Sequence, residues 1–293
     1  MSIPQLENET KDILRKYGIV ADKRLGQNFL IDENVVNEIV EKSNVSKDDL
    51  IIEIGPGLGT LTKYLANAAG KVVCIELDRR MISILQDRFL DTDNVEILNE
   101  DILKVDLNEV IFKNASFKNV KVIANLPYYI TTPIKIKLLE ENLPIKSITI
   151  MIQKEVADRI TALPGGKDYG VLTLSVKYYA KATTILQVPA ESFLPAPSVS
   201  STVIRLDLYE ESPYKVKDPK VLFSIIKGGF AQRRKLFVNA LESTLKFYKV
   251  SKEEFIEILN KYGIDELRRA ETLSLEEFIN ISNDINYLRI CRE

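Results

Sequence analysis

No histidine occurs among the 293 residues, and this absence removes several classes of chemistry. Imidazole is the general base of Ser-His-Asp and Cys-His nucleophile systems, and it is a common ligand of protein-bound metals. The sequence therefore excludes enzymes built on those nucleophile systems. It also excludes metal centres with histidine ligands.

Cysteine is scarce as well, and no excess of either charge stands out. Cys74 and Cys291 are far apart and form no CxxC pair, which fits a reducing compartment. Because the net charge is −2, any nucleic-acid surface must be a local patch. No apolar run approaches bilayer length, and the polar, acidic N-terminus lacks a signal-peptide pattern. We expect a cytoplasmic protein with no membrane partner.

The β-strand pattern ends near residue 210. Before that point, apolar β-branched runs alternate with helical patterns, which is typical of an α/β domain. A segment around Pro213 and Pro219 has the composition of a linker, and only helical patterns follow it. We therefore predict an α/β domain over residues 1–210 and a small all-helical domain over residues 211–293.

A glycine-rich turn follows the first strand of the α/β pattern. Residues 50–54 predict a buried strand, and Gly55-Pro56-Gly57-Leu58-Gly59 leads from it into a helix. This strand, turn and helix order lets backbone approach a nucleotide-like ligand. The spacing of these glycines differs from GxGxxG. This difference favours a nucleoside without phosphates as the ligand. The alternative is a tight turn without a ligand.

Acidic residues follow the next two predicted strands. Glu76 ends the strand that begins at Lys71, about 20 residues after Gly55, where dinucleotide folds place the acid that binds ribose hydroxyls. Asp101 follows the third strand, and its carboxylate suits an adenine amine while Ile102 packs on the ring. The alternative for Glu76 is an ordinary surface acid. Because ligands bind at the carboxyl ends of strands in open α/β sheets, these residues predict one site.

The fourth strand delivers an unusual tetrapeptide, Asn125-Leu126-Pro127-Tyr128. Asn125 offers a carbonyl acceptor, and Pro127 lacks an N–H, so the turn presents carbonyl groups. Tyr128 offers a flat face for stacking. Together they predict a socket for a planar group that carries an –NH2. The alternative is a turn stopped by proline.

Two further loops are candidates for the same pocket. Residues 26–30 place a glycine and two amides, Gln27 and Asn28, before an apolar pair, although the segment could simply lead into a helix capped by Asp32. Pro195 and Pro197 stiffen the loop that follows Phe193. Phe193 could then stack opposite Tyr128, or it could anchor the loop in the core.

One basic cluster lies in the helical region. Arg233, Arg234 and Lys235 follow Gln232 at the start of a helix predicted over residues 233–248, and Lys227 precedes them. Cations at a helix N-terminus oppose its dipole, so phosphate binding would explain them. A solvated charge run is the alternative.

Taken together, these motifs resemble the S-adenosylmethionine-dependent ribosomal RNA adenine N6,N6-dimethyltransferases, most closely the small-subunit (16S) type associated with kasugamycin sensitivity. The resemblance runs from about Lys11 to about Phe278. It rests on the joint order of short motifs: Gly26-Gln27-Asn28-Phe29-Leu30, Glu53-Ile54-Gly55-Pro56-Gly57-Leu58-Gly59, Glu76-Leu77-Asp78, Asp101, Asn125-Leu126-Pro127-Tyr128, the loop of residues 193–200, Gln232-Arg233-Arg234-Lys235 and Arg269-Ala270-Glu271-Thr272-Leu273. Leu236-Phe237, which follows the basic motif, differs from the usual continuation in this family. The difference concerns only local RNA contacts.

The resemblance implies a Rossmann-like class I methyltransferase sheet of seven strands, the last antiparallel, with a small all-α C-terminal domain. It implies S-adenosylmethionine as cofactor, with no metal, and a monomer acting on small-subunit rRNA in an assembling 30S particle. The target would be two adjacent adenosines in a loop near the 3′ end. The implied cofactor contacts are Asn28, Leu30, Gly55, Glu76, Asp101 and Asn125; the implied catalytic positions are Asn125, Pro127, Tyr128 and Phe193; the implied RNA contacts are Lys227, Arg233, Arg234 and Lys235.

Other activities share parts of this pattern. Large-subunit rRNA methyltransferases of macrolide resistance have a similar tetrapeptide, and related motifs serve DNA adenine and protein glutamine methylation. Leu126, the Phe193 loop and the basic cluster favour rRNA. A second interpretation is an assembly factor that docks on immature small subunits, with methylation secondary.

Overall fold

The computed structural model describes residues 3–21, 27–125, 137–141 and 143–292. The strands are β1 Phe29–Leu30, β2 Asp49–Ile54, β3 Lys71–Glu76, β4 Val95–Asn99, β5 Asn119–Asn125, β6 Ile145–Gln153, β7 Ala180–Val188, β8 Phe193–Leu194 and β9 Ser201–Leu208. The helices are α1 Ile3–Lys16, α2 Glu33–Lys42, α3 Thr60–Ala68, α4 Arg79–Arg88, α5 Leu107–Lys113, α6 Lys154–Thr161, α7 Val171–Tyr179, α8 Pro219–Ala231, α9 Phe237–Ala240, α10 Glu242–Phe247, α11 Lys252–Lys261 and α12 Leu275–Ile290.

The large sheet has the strand order β4-β3-β2-β5-β6-β9-β7. The strands from β4 to β6 are parallel, and β9, the last along the chain, pairs antiparallel with β6. Because parallel strands are buried on both faces, they are continuous apolar runs rather than alternating ones. β2 is buried at every residue. The predicted class I methyltransferase sheet with its antiparallel last strand is confirmed.

The chain divides into two compact units. Unit 1 contains residues 1–157 and 182–208, and unit 2 contains residues 158–181 and 209–293. The sequence placed the boundary near residue 210 and assigned the segment 158–181 to the first domain. In the structure this segment belongs with the C-terminal helices, because Tyr169 and Leu174 are part of their apolar core. The Tyr169 hydroxyl also donates to the Leu273 carbonyl at 2.8 Å.

Unit 1 carries a second, two-stranded pairing. β1 pairs antiparallel with β8, so that Phe29 faces Leu194 and Leu30 faces Phe193. The Ile31 amide then donates to the Ser192 carbonyl at 2.9 Å. The segment before α2 is therefore fixed to a loop far along the chain.

A buried ion pair lies at the amino ends of the central strands. The Lys121 ammonium lies 2.6 Å from an Asp49 carboxylate oxygen, and both side chains are inaccessible or nearly so. Asp49 also accepts from the Asn119 amide at 2.8 Å and from the Ser46 N–H at 2.8 Å. Burial alone would raise the pKa of Asp49, but the hydrogen bonds from Lys121 and Asn119 outweigh it and hold that pKa below its usual range.

Two features, a membrane-spanning helix and a cluster of metal ligands, are absent from the described part of the chain. Within those residues, no helix combines the length and the apolar character needed to cross a bilayer. Over the same residues, no three acidic, cysteine or histidine side chains converge as a metal site would require.

Candidate active site

Four neighbouring strands end at one edge of the sheet and bring the predicted residues together. Gly55 follows β2, Glu76 ends β3, Asp101 follows β4 and Asn125 ends β5. The register aligns these ends, because Ile54 pairs with both Ile75 and Ala124, while Glu76 pairs with Asn99. The arrangement matches the position at which open α/β sheets bind ligands.

The glycine-rich turn needs its glycines for their backbone. Gly55, Gly57 and Gly59 have φ angles of +66°, +57° and +79°, a region that side chains with a Cβ adopt at a cost of about 1–2 kcal/mol. A Cβ at Gly59 would also lie 2.6 Å from the Phe89 ring. At Gly55 no heavy atom of the described residues, apart from its two chain neighbours, lies within 4 Å of that position. The turn therefore leaves open space at Gly55, where a ligand can approach the backbone.

Glu76 links this turn to the end of β3. Its carboxylate accepts from the Gly57 N–H at 3.1 Å and from the Asp78 N–H at 2.8 Å. The residue is buried, and burial raises its pKa despite these hydrogen bonds. Since an ionised carboxylate has about four lone-pair sites, acceptor capacity remains for a diol. Glu76 is thus not the ordinary surface acid of the alternative interpretation.

A second buried acid, Glu53, lies in β2 beneath the turn, and its pairing could not be read from the sequence. Its carboxylate accepts from the Thr62 hydroxyl at 2.6 Å and lies 3.6 Å from the Cys74 sulfur. Burial raises the pKa of Glu53 to about 7, and the charge of Glu76 adds to that rise, while the Thr62 hydroxyl opposes it. The carboxyl of Glu53 therefore changes charge near neutral pH.

This shift predicts a pH-dependent stability that Glu53→Gln removes. The folded-state pKa lies above that of the unfolded chain, so the contribution of Glu53 is full below about pH 4.5 and is lost as pH rises through about 7. The shift corresponds to about 3 kcal/mol. We expect the free energy of unfolding of the variant, relative to the wild type, to rise between pH 5 and 8 in urea titrations. A difference that stays constant over this range would contradict the assignment.

Asp101 is held in a local turn at the end of β4. One carboxylate oxygen accepts from the Leu103 N–H at 3.0 Å, and the other lies 3.9 Å from the Lys104 ammonium. The residue stays partly exposed, and Ile102 beside it is buried. Asn99 ties this strand end to its neighbour by donating to the Glu76 carbonyl at 3.0 Å. Asp101 is therefore fixed at the same edge as Glu76.

The segment that leads into β1 lies against the turn. Gln27 donates to the Asp78 carboxylate at 2.9 Å, which joins this segment to the end of β3. The Phe29 ring lies 3.6 Å from where a Cβ of Gly57 would stand. Asn28, the predicted contact for the methionine end, precedes this ring in the chain. The sequence suggested a pocket role for the segment but gave no sign of the Asp78 contact.

Leu30 and Phe193 are both buried in the core of unit 1. Each is exposed over only 4% of its surface. This burial favours the alternative in which Phe193 anchors its loop. The stacking of Phe193 against a target base stays a prediction, as does the contact of Leu30 with cofactor.

Asn125 is partly buried at the carboxyl end of β5, where it pairs with Met151 of β6. The strand brings its amide to the edge shared by Gly55 and Glu76. Pro127 and Tyr128 lie outside the described residues, so their predicted roles are untested.

The prediction that the basic cluster starts a helix is wrong. α8 ends at Ala231, Gln232 is its C-cap, and α9 begins only at Phe237. Arg233, Arg234 and Lys235 therefore follow a helix C-terminus, where cations complement the dipole rather than oppose it. The helix dipole thus gives no argument for phosphate here.

Arg233 also has a partner within unit 2. Its guanidinium lies 2.9 Å from the Glu271 carboxylate. Arg234, Lys235 and Lys227 are exposed. Their predicted RNA contacts rest on exposure and charge, and remain to be tested.

Replacing Gly55 by Ala tests whether the open space is a cofactor seat. We expect Gly55→Ala to cost about 1–2 kcal/mol of stability for its positive φ, and to weaken S-adenosylmethionine binding by a larger factor than this loss explains. Gly18→Ala is the matched control, because Gly18 has a φ of +62° and, among the described residues, nothing within 4 Å obstructs a Cβ there either. Calorimetric titration measures both variants. Equal affinities would argue against the seat.

The family model for ribosomal RNA adenine dimethylase matches residues 20–284. The chain belongs to the ribosomal RNA adenine dimethylase family. This family membership confirms the resemblance expected from the motifs, and with it an S-adenosylmethionine-dependent rRNA adenine dimethyltransferase.

Relatives in the family align over almost the whole chain. The ribosomal RNA small subunit methyltransferase A of Clostridioides difficile (strain 630) is 48% identical over 279 residues, covering 95% of this chain and 96% of the relative. The protein of the same name from Geobacillus kaustophilus (strain HTA426) is 49% identical over 275 residues, covering 94% of each.

Two solved structures agree with the fold. A dimethyladenosine transferase from Plasmodium falciparum superposes with a TM-score of 0.75 at 26% identity, covering 89% of this chain and 98% of that one. The 23S rRNA methyltransferase ErmE superposes with a TM-score of 0.68 at 23% identity, covering 88% of this chain and 100% of that one. At this identity ErmE supports the fold alone.

Proposed function

We propose that this dimethylase acts on small-subunit (16S) rRNA and dimethylates N6 of two adjacent adenosines in a loop near its 3′ end. The observation that carries the site assignment is the alignment of four strand ends, which places Gly55, Glu76, Asp101 and Asn125 at one edge. The names and near-full-length alignment of the relatives support the choice of subunit. The proposal includes a cytoplasmic monomer that needs no metal and works on an assembling 30S particle.

The residues at this edge fit S-adenosylmethionine by their chemistry. The Glu76 carboxyl has acceptor oxygens suited to the ribose hydroxyls, and Asp101 suits the adenine amine, with Ile102 beside it. Gly55 leaves room for the methionine end of the cofactor. Asn28 directly precedes Phe29, whose ring lies over Gly57. When bound, the cofactor supplies an electrophilic methyl group on a sulfonium sulfur.

Asn125 is proposed to orient the target amine. An adenine N6 is a poor nucleophile, because its lone pair is delocalised into the ring. A hydrogen bond from N6 to the Asn125 side-chain oxygen, with a second to the Pro127 carbonyl, favours a pyramidal nitrogen and exposes that lone pair. Such contacts accelerate the reaction because they strengthen as charge develops. The product loses its proton to water, so no histidine is required.

The target adenine must leave its stack to reach Asn125. Unstacking costs a few kcal/mol, and stacking on an aromatic ring returns about 1–3 kcal/mol per base. Tyr128 is proposed as this ring. The exposed cations Arg234 and Lys235 are proposed to hold RNA phosphates.

The experiment that tests the function uses tritiated S-adenosylmethionine and small subunits from a strain that lacks the modification. Digestion of the RNA identifies the labelled nucleoside. We expect the label in N6,N6-dimethyladenosine of 16S rRNA. No label in small subunits, with label appearing when large subunits are supplied instead under conditions where the cofactor binds, would overturn the choice of subunit.

A further inference from the structure

A cavity lies in unit 2, between α9, α10 and the start of α11, and nothing in the proposed reaction uses it. Its volume is about 510 Å³, within the range of sites that hold small organic groups. The lining has an aliphatic part and a positively charged part. Aliphatic side chains of Val238, Leu245 and Val250 contribute to it, and so do three lysines, Lys246, Lys249 and Lys252.

The three lysines give the cavity its positive charge. All three are exposed, and Glu242 is the acid that lines the cavity with them. The Lys252 ammonium donates to the Asn239 side-chain oxygen at 3.3 Å. The ion pairs among the described residues include neither Lys246 nor Lys249. Unpaired ammonium groups around a concave surface suit phosphate oxygens.

The aliphatic residues suit a different part of the same ligand. Val238, Leu245 and Val250 are each exposed over about 5% of their surface or less, so they contribute an apolar floor rather than a protruding patch. Phe247, next to Lys246 in the chain, is 77% exposed. A flat heterocycle fits an apolar floor, and the phosphate joined to it fits the lysines. A nucleotide carries both groups.

Lys249 adds an observation about the backbone. Its φ is +56°, a region that residues with a Cβ adopt at a cost. Its carbonyl accepts a hydrogen bond from the Arg292 guanidinium. Glycine would relieve the backbone cost at this position, so the side chain and the conformation can be tested separately.

We infer that this cavity binds an unpaired nucleotide of the RNA substrate, with its phosphate against Lys246, Lys249 and Lys252 and its base over the aliphatic floor. The inference rests on the proposed function, because it takes RNA as the substrate. A base pair hides the faces and edges of both bases, so only an unpaired nucleotide can enter a concave site. The cavity would therefore recognise a single-stranded part of the RNA, separately from the residues 233–235.

The test compares two triple variants of the full-length protein. K246Q/K249Q/K252Q removes the charges of the cavity, and K215Q/K217Q/K220Q removes three exposed lysines elsewhere in unit 2 as a control. The probes are a labelled 12-nucleotide oligouridylate and a 12-base-pair RNA duplex. We expect the cavity variant to bind the single strand at least about 10-fold more weakly, with a log–log salt slope smaller by about 2. The control variant should change neither value to that extent.

Two further measurements locate the effect. A 4-thiouridine oligonucleotide should photo-crosslink to a peptide within residues 236–252. Lys249→Gly should keep or raise the thermal midpoint while it weakens single-strand binding. Equal losses in both triple variants, an equal loss for the duplex, or crosslinks confined to other segments would each overturn the inference.

Failure of the function and failure of this site give different results. In a titration with small subunits, K246Q/K249Q/K252Q should retain the wild-type kcat at saturation and show a raised KM. If wild-type protein forms no N6,N6-dimethyladenosine, the proposed function fails while the oligonucleotide result stands. If methylation proceeds and the variant binds RNA normally, only the cavity assignment fails.

Discussion

Asn125→Ala should lower the turnover number for adenine methylation by a factor of about 10²–10³, the loss typical when one preorganised polar contact to a developing charge is removed. Asn125 ends β5 at the edge shared with Gly55 and Glu76, which is where the proposed reaction needs its amide. Binding of S-adenosylmethionine should weaken only modestly. Single-turnover methylation of small subunits and calorimetric titration of the cofactor measure the two effects.

Asn119→Ala is the matched control for this experiment. Asn119 begins the same strand, and its amide donates to Asp49 rather than facing the candidate site. Its loss should reduce stability and leave turnover unchanged. Unchanged turnover in Asn125→Ala would sink the proposed mechanism, whatever the control shows.

Lys121→Ala should destabilise the protein by about 3–5 kcal/mol at neutral pH, because it leaves the carboxylate of Asp49 buried without its cation. The pKa of Asp49 lies below its usual range in the wild type, so the ion pair contributes stability above the unfolded-state pKa and loses it as pH falls. The deficit of the variant should therefore shrink in acid. Urea unfolding at pH 7 and pH 3 measures it, because the loss falls below the ordinary aspartate pKa of 3.8.

Two comparisons make this prediction specific. Lys118→Ala removes an ammonium that lies 2.7 Å from Asp48. Because the Lys118 side chain is 74% exposed, this variant should change stability little. The double variant D49N/K121M replaces both charges and should recover most of the loss, because an ion pair exchanged as a unit leaves no unpaired charge. A double variant as unstable as Lys121→Ala would show that packing, not charge, causes the loss.

The strands and the edge of the candidate site were predictable because their signals are local. β3, for example, runs from Lys71 to Glu76 as predicted, and the residues at or after the ends of β2, β3 and β4 lie at one edge as expected. A buried parallel strand is a continuous apolar run. Because such strands run in the same direction, their carboxyl ends all lie at the same edge of the sheet. Residue type at those ends then indicated the ligand chemistry.

The parts that were missed depend on contacts between distant segments. The pairing of β1 with β8 joins residues more than 160 positions apart, and no local pattern announces a two-residue strand. The assignment of residues 158–181 to unit 2 depends on Tyr169 and Leu174 packing in its core. The start of the helix after the basic cluster was misplaced because the residues 232–236 have good helix propensity, while tertiary packing places a turn there.

The β1–β8 pairing has a consequence for how the enzyme matures. Contacts between segments far apart along the chain form slowly, since closing the intervening loop costs entropy before the contact is gained. During synthesis the amino-terminal segment leaves the ribosome first, yet its partner at Phe193 and Leu194 emerges much later. The strands β2 to β5 can assemble in the meantime. The residues 27–30 beside the glycine turn can therefore pair with β8 only after residues 193–194 have been made, so the proposed cofactor site is completed only after most of the sheet has been synthesised.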